Sequence, residues 1–178
     1  GLSVVYPSSP YEAKGLMLSS IFSNSPTIFF ESRALHSMKE EVPTTPYFLD
    51  PTKAFVRNKG KDLTIVSFGP SVKNAIEVSH LLKLQKNISC EIIDLRSVNP
   101  IDENTVINSV KKTKNLCLIE HGWPNASISS EIISIVSEKL RLNKKPIKFC
   151  WPKSYTPTTH SLEKKYYFDN QDIANKII

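Results

Sequence analysis

Apolar residues along this chain fall into two spacings. Short continuous runs at Asp62–Phe68, Ile88–Leu95, Leu116–Ile119 and Ile147–Cys150 read as buried strands. The stretches between them carry apolar residues at helical spacing. These are Val72, Ala75, Ile76, Val78, Leu81 and Leu82, then Val106, Ile107 and Val110, then Ile132, Ile133, Val136 and Leu140 within Ile128–Leu140. Gly69-Pro70-Ser71 and Asn99-Pro100-Ile101-Asp102 open the first two helices. Ala54–Arg57 reads as one more strand. The turn Asn58-Lys59-Gly60-Lys61 would make it a hairpin with Asp62–Phe68, Gly60 supplying the permissive φ. From residue 54 the order is therefore β-β-α-β-α-β-α-β. This predicts a three-layer α/β domain with a mainly parallel sheet, helices on both faces and right-handed crossovers. Asp169–Ile178 is expected to form a short closing helix.

The front of the chain is organised differently. Val4–Tyr6 reads as a strand. Ser8-Ser9-Pro10 signals a helix start, with Glu12 in the first turn and Ala13, Leu16, Met17 and Ile21 on one face. Ser23-Asn24-Ser25-Pro26 stops that helix, and Thr27-Ile28-Phe29-Phe30 is a strand ending at Glu31. In Ser37–Lys53, Pro43, Pro46 and Pro51 each fix φ and remove a donor, so this is read as an interdomain linker.

Composition narrows the function classes. With 40% apolar residues a real core can form. No apolar run approaches the roughly 20 residues of a membrane span, and no signal peptide is read. Cys90, Cys117 and Cys150 are odd in number and widely spaced, which points to reduced thiols and a cytoplasmic setting. The formal charge of +6 comes from scattered lysines that flank loops and helix ends, without aromatic interleaving. A nucleic-acid partner is not expected.

Motifs for chemistry are sparse. The chain has five glycines and lacks both Gly-x-Gly-x-x-Gly and Gly-x-x-x-x-Gly-Lys. Gly69-Pro70-Ser71 can be read as an anion site at a helix N-terminus or, more simply, as a capped turn. Cys117 and His121 lie four apart with no second ligand pair for zinc. His36, His80 and His160 read as solvated or packing residues. Glu120 and His121 follow a buried strand at the sheet edge where α/β ligands bind. They could form an acid–base pair. Alternatively Glu120 accepts backbone hydrogen bonds while Trp123 packs on a neighbouring subunit, and the interface is the simpler reading.

Taken in order, these segments resemble one family. Val4-Val5-Tyr6-Pro7, Ala13-Lys14-Gly15-Leu16 and Pro26-Thr27-Ile28-Phe29-Phe30-Glu31 look like the end of a pyrimidine-binding domain. Glu41-Val42-Pro43 and Lys53-Ala54 resemble its linker. Asp62–Gly69, Glu91–Arg96, Pro100-Ile101-Asp102, Glu120-His121-Gly122-Trp123-Pro124, Ser130-Glu131-Ile132, Tyr155-Thr156-Pro157, Leu162-Glu163 and Asp172-Ile173 resemble a transketolase C-terminal domain. The family is the beta subunit of the thiamine-diphosphate-dependent decarboxylating component of 2-oxo acid dehydrogenase complexes, of pyruvate, branched-chain or acetoin type. The resemblance implies residues 1–45 as a pyrimidine-domain remnant plus linker, and residues 46–178 as the transketolase C-terminal domain.

The resemblance also implies an oxidative decarboxylation assembled from an alpha subunit, a second beta subunit and a lipoyl acyltransferase component. In that family a pyrimidine-domain glutamate activates thiamine diphosphate, and the alpha subunit binds the diphosphate with magnesium. Both regions are expected outside this chain, so no catalytic or cofactor-binding residue is assigned and Glu31 and Glu120 do not fill that role. The expectation is a C-terminal portion serving association and docking, inactive alone. The alternatives are a stand-alone binding module or one half of a split enzyme. Residues assigned to the interface are Glu31, Arg33, Arg96, Glu120, His121 and Trp123. Some relatives hold a potassium ion after the first helix. Here its ligands would be the carbonyls of Ser20 and Ile21, with Ser23 and Ser25 standing where Asp and Asn are usual. A family glycine-rich stretch is replaced by Asn125-Ala126-Ser127-Ile128-Ser129, and the +6 charge is a poor match for a basic acyltransferase docking domain.

Overall fold

Apolar alternation within each strand decides which helices that strand faces. The computed structural model describes residues Gly1–Ile178. The elements in chain order are β1 (Ser3–Val5), α1 (Pro10–Ile21), β2 (Thr27–Phe29), β3 (Phe55–Asn58), β4 (Leu63–Ser67), α2 (Ser71–Lys86), β5 (Cys90–Asp94), β6 (Ser97–Asn99), α3 (Glu103–Thr113), β7 (Leu116–Ile119), α4 (Ile128–Lys139), β8 (Ile147–Phe149), α5 (His160–Tyr166) and α6 (Asn170–Ile177). A five-stranded sheet has the order β3-β5-β4-β7-β8. Its strands β4, β5, β7 and β8 are parallel, and β3 lies antiparallel on the outer side of β5.

Leu63, Ile65, Cys90, Ile92, Cys117 and Ile119 point to one face and pack on Ala75, Val78 and Leu82 of α2 and Ile173 of α6. The intervening Val66, Ile93, Leu116 and Leu118 point to the other face, against Val106, Val110, Ile132 and Val136 of α3 and α4. A strand buried on both faces has to be apolar throughout, and this is the three-layer arrangement expected from the sequence. Each large aliphatic side chain buried here contributes about 1.5–3 kcal/mol. Helix starts fall on side-chain caps: Asp102 accepts from the Thr105 N–H at 3.2 Å and Ser127 from the Ser130 N–H at 3.1 Å. Helices α2 and α3 end on Asn87 and Lys114, both at positive φ.

Two local expectations are corrected. β3 and β4 do not form a hairpin, because β5 is inserted between them. β4 is apolar on both faces and takes the centre of the sheet, pairing with β5 and β7. Gly60 is not in the left-handed region. It is needed for close approach, since a Cβ there would stand 2.1 Å from the carbonyl carbon of Cys90. The turn opening α2 is also not side-chain capped. Pro70 occupies the cap position, and the Ser71 hydroxyl donates to the Phe68 carbonyl at 2.7 Å. Strand β6 and helix α5 are too short to show a periodicity, and sequence reading passes over both.

The N-terminal segment is built onto this domain. A second sheet has the order β2-β1-β6, with β1 parallel to β2 and antiparallel to β6. Arg96, at φ 61°, makes the bend between β5 and β6 that delivers β6 to β1. Residues 37–53 form no regular element, yet they clasp α1. Tyr47 stacks on Tyr11 at 4.6 Å, its hydroxyl donates to the Tyr11 carbonyl at 2.8 Å, and Leu49 and Tyr47 lie against Gly15.

Candidate functional site

The carboxyl ends of β4, β7 and β8 meet the N-terminal segment at one edge of the main sheet. Glu120, just after β7, is buried and turned inward. Its carboxylate accepts from the backbone N–H and hydroxyl of Ser129, at 2.9 and 2.7 Å, at the N-terminus of α4. An acidic group there completes orphan N–H groups and opposes the helix dipole. The Lys148 ammonium donates to the Pro124 carbonyl at 2.7 Å and the Ser130 hydroxyl at 2.5 Å. Glu120 and Lys148 thus clamp the loop 120–128, and that loop presents Trp123 with 52% of its surface exposed.

His121 does not pair with Glu120. Its Nε2 meets Asn74 Oδ1 at 2.9 Å, and the Asn74 amide in turn donates to Asn170 at 2.8 Å. Since the Asn74 oxygen is the acceptor, the neutral imidazole carries its proton on Nε2. The ring stacks on Trp151 at 5.3 Å and lies 5.9 Å from Phe168. Burial lowers its pKa to about 4, so it is uncharged at neutral pH. The pair read from sequence as possible acid–base partners is two separate structural anchors.

His121 and Arg33 line the same cavity of 480 Å³, between the N-terminal segment and the carboxyl edge. Glu31, like Arg33, is exposed. Arg96 lies elsewhere and is buried. It belongs to a charge cluster that sequence reading did not assemble. The Glu12 carboxylate accepts from Arg57 Nη2 at 3.0 Å and Arg96 Nη2 at 2.9 Å. Asp94 accepts from Arg57 Nε and Nη2, at 3.1 and 2.9 Å, and from the Ser8 hydroxyl at 2.5 Å. The Arg96 guanidinium also covers the Phe55 ring at 4.7 Å. Two carboxylates and two guanidiniums cancel one another and join α1 to β3 and β5. The sequence carries no signal of it, because α1 buries Glu12, Gly15 and Leu16 and leaves Ile21, read from spacing as part of the apolar face, 65% exposed.

The proposed cation ligands form a neutral set. The Ser20 carbonyl already accepts from the Ser23 N–H at 3.3 Å, and the Ser23 hydroxyl accepts from the Ser25 N–H at 3.1 Å. Without a carboxylate these oxygens are a poor cage for a hard cation. No three His, Cys, Asp or Glu side chains converge as a metal site. No helix is long and apolar enough to cross a membrane.

A mainly parallel five-stranded sheet between two helical layers, with its clamped loop at the carboxyl edge, defines a transketolase-type C-terminal α/β domain. The transketolase C-terminal domain family matches residues 52–173, and the chain belongs to it. It is 37% identical over 168 residues to the beta subunit of acetoin:2,6-dichlorophenolindophenol oxidoreductase from Bacillus subtilis, covering 93% of this chain and 49% of that protein. It is 38% identical over 144 residues to the pyruvate dehydrogenase E1 component subunit beta from Staphylococcus aureus, covering 80% of this chain and 44% of that one. The chain therefore spans about half the length of these curated relatives. A solved structure described as a split-gene transketolase, inactive beta4 tetramer, superposes with a TM-score of 0.82 over 99% of this chain and 56% of its own, at 21% identity. Transketolase from Campylobacter jejuni superposes at 0.67, with 15% identity, over 99% of this chain and 26% of its own. These two likenesses establish the fold alone.

Proposed function

We propose that this chain corresponds to the C-terminal portion of the beta subunit of a 2-oxo acid dehydrogenase, serving subunit association and partner docking. The observation that carries this reading is its identity with two beta subunits across most of its own length but half of theirs. Residues 1–45 then represent the end of a pyrimidine-binding domain with its linker, and residues 46–178 the transketolase C-terminal domain. The partners are an alpha subunit, a second beta subunit and a lipoyl acyltransferase. Thiamine diphosphate and magnesium supply the decarboxylating chemistry in the complete enzyme. The residues here do not fit that group, because Glu12, Asp94 and Glu120 are committed inside the chain and no acidic cluster converges for the metal.

Exposed apolar surface supports association. Ile21, Phe22 and Phe48 stand 65%, 71% and 59% exposed on the outer side of α1, a patch that a stand-alone module would leave in water. Trp123 and Glu31 are the surface contacts of this reading. Glu120 acts through the loop it clamps, Arg96 through the helix it holds, and Arg33 and His121 through the cavity they line. The test replaces Trp123 by Ala in the assembled enzyme and follows mass by light scattering together with single-turnover decarboxylation. Weakened assembly with an unchanged chemical step is expected. Intact assembly with a lost chemical step would make this edge catalytic and overturn the reading.

A further inference from the structure

The cavity at the carboxyl edge, whose Arg33 and His121 the association reading already uses, also holds groups that it leaves unused. Arg33 and Glu163 both line it, and neither takes part in any ion pair of the chain. Glu163 accepts only from the Tyr167 hydroxyl, at 3.0 Å. Its walls are aromatic, with Trp151 lying 5.6 Å from Tyr167 and 5.3 Å from His121. The Trp151 indole N–H is buried without an acceptor. Beside it, the 16-residue helix α2 begins at Ser71, with Pro70 of the lining in the cap position and the Val72 and Lys73 N–H groups donating to the Gly69 and Pro70 carbonyls at 3.2 and 3.3 Å.

These features select a ligand class. One unpaired cation and one unpaired anion on the same lining favour a ligand bearing both signs over a simple anion or cation. Aromatic faces hold an ammonium group by cation–π attraction and hold apolar carbons by burial. The positive end of the α2 dipole, added to the Arg33 charge, favours a carboxylate on that side. The volume of 480 Å³ lies in the range of small-molecule sites and accommodates a large side chain. We propose that this cavity binds a free α-amino acid with a large apolar side chain. Its carboxylate faces Arg33 and the start of α2, its ammonium faces Glu163 and the Trp151–Tyr167 corner, and its side chain lies on the aromatic walls.

The proposal shares Arg33 and His121 with the association reading but is tested apart from it, since the chain by itself carries every group named and binding is read without any partner subunit. L-phenylalanine is titrated into the 178-residue chain while the two indole N–H resonances are followed by NMR, assigned with Trp123→Phe. The Trp151 resonance is expected to shift and that of Trp123 to stay. 3-Phenylpropionate and phenethylamine, each lacking one charge, are expected to bind about tenfold more weakly, as are Arg33→Gln and Glu163→Gln towards phenylalanine. Both variants lie near the surface, and an unchanged melting temperature shows that they fold. Three results overturn the proposal: no Trp151 shift at millimolar phenylalanine, equal binding of the singly charged analogues, or unchanged affinity in both variants.

Discussion

Replacing Glu12 by alanine removes the one carboxylate shared by the buried Arg96 and the half-buried Arg57 guanidiniums. Glu12 is 1% exposed and Arg96 is 8% exposed. Arg57 would keep Asp94, which accepts from its Nε and Nη2. Arg96 would keep only the Phe55 ring at 4.7 Å, so one cation is left buried without a counter-charge. Breaking a buried pair on one side costs about 3–5 kcal/mol. For a chain of this length that lowers the melting temperature by roughly 6–20 °C. Glu12→Gln keeps an acceptor for one guanidinium and is expected to cost less, about 1–3 kcal/mol. The control is Glu103→Ala, which breaks the exposed pair with Lys139 at 2.6 Å and should cost no more than about 1 kcal/mol. Urea unfolding gives the magnitudes. Amide hydrogen exchange gives the location, since Glu12 ties α1 to β3 and β5, so protection should be lost first in α1 and β1. A Glu12→Ala cost no larger than that of Glu103→Ala, or exchange rising first in β4 and β7, would refute the account of this cluster.

Three further outcomes are expected. Gly60→Ala forces its new Cβ into the Cys90 backbone and should cost about 2 kcal/mol or more in urea unfolding; a neutral result would show that the loop before β4 relaxes freely. His121 has a folded pKa of about 4 against 6.5 unfolded, so as pH falls from 6.5 to 4 the unfolded chain takes up the proton first and stability declines. The decline is at most about 3 kcal/mol, and a His121→Gln variant should lose that part of the pH slope when unfolding is measured across the window. Burial pushes the Cys90 thiol up to about 11 and Cys117 higher still, so at pH 8 a thiol-specific reagent should modify the half-buried Cys150 first and reach the other two only after denaturation. Rapid labelling of Cys117 in the folded chain would contradict its full burial on β7, between β4 and β8.

The fold class was legible because its signal is local and repeated. Runs such as Leu63–Ser67 and Leu116–Ile119 are apolar on both faces, and only a strand between two helical layers makes use of that. Caps at Asp102, Ser127 and Asp169 likewise declare helix starts within a few residues of sequence. Strand order was not legible. Four residues join β3 to β4 and invite a hairpin, yet β5, more than thirty residues along, outcompetes β4 for the edge of β3. Non-local pairing is decided by which strand can be buried on both sides, and a local turn cannot report that.

The candidate site divides along the same line. The sequence by itself determined that Glu120, His121 and Trp123 stand at the carboxyl end of a buried strand, because the run Leu116–Ile119 points there. Only the tertiary structure decided what each does. Glu120 turns inward to Ser129, His121 turns to Asn74, and Trp123 turns outward. It alone decided that Arg96 pairs with Glu12, 84 residues away, and that Arg33 and Glu163 share one cavity. A charge in a sequence carries no information about its partner. The partner is set by which elements the packed core brings together, and here the core folds the N-terminal helix onto β3 and β5.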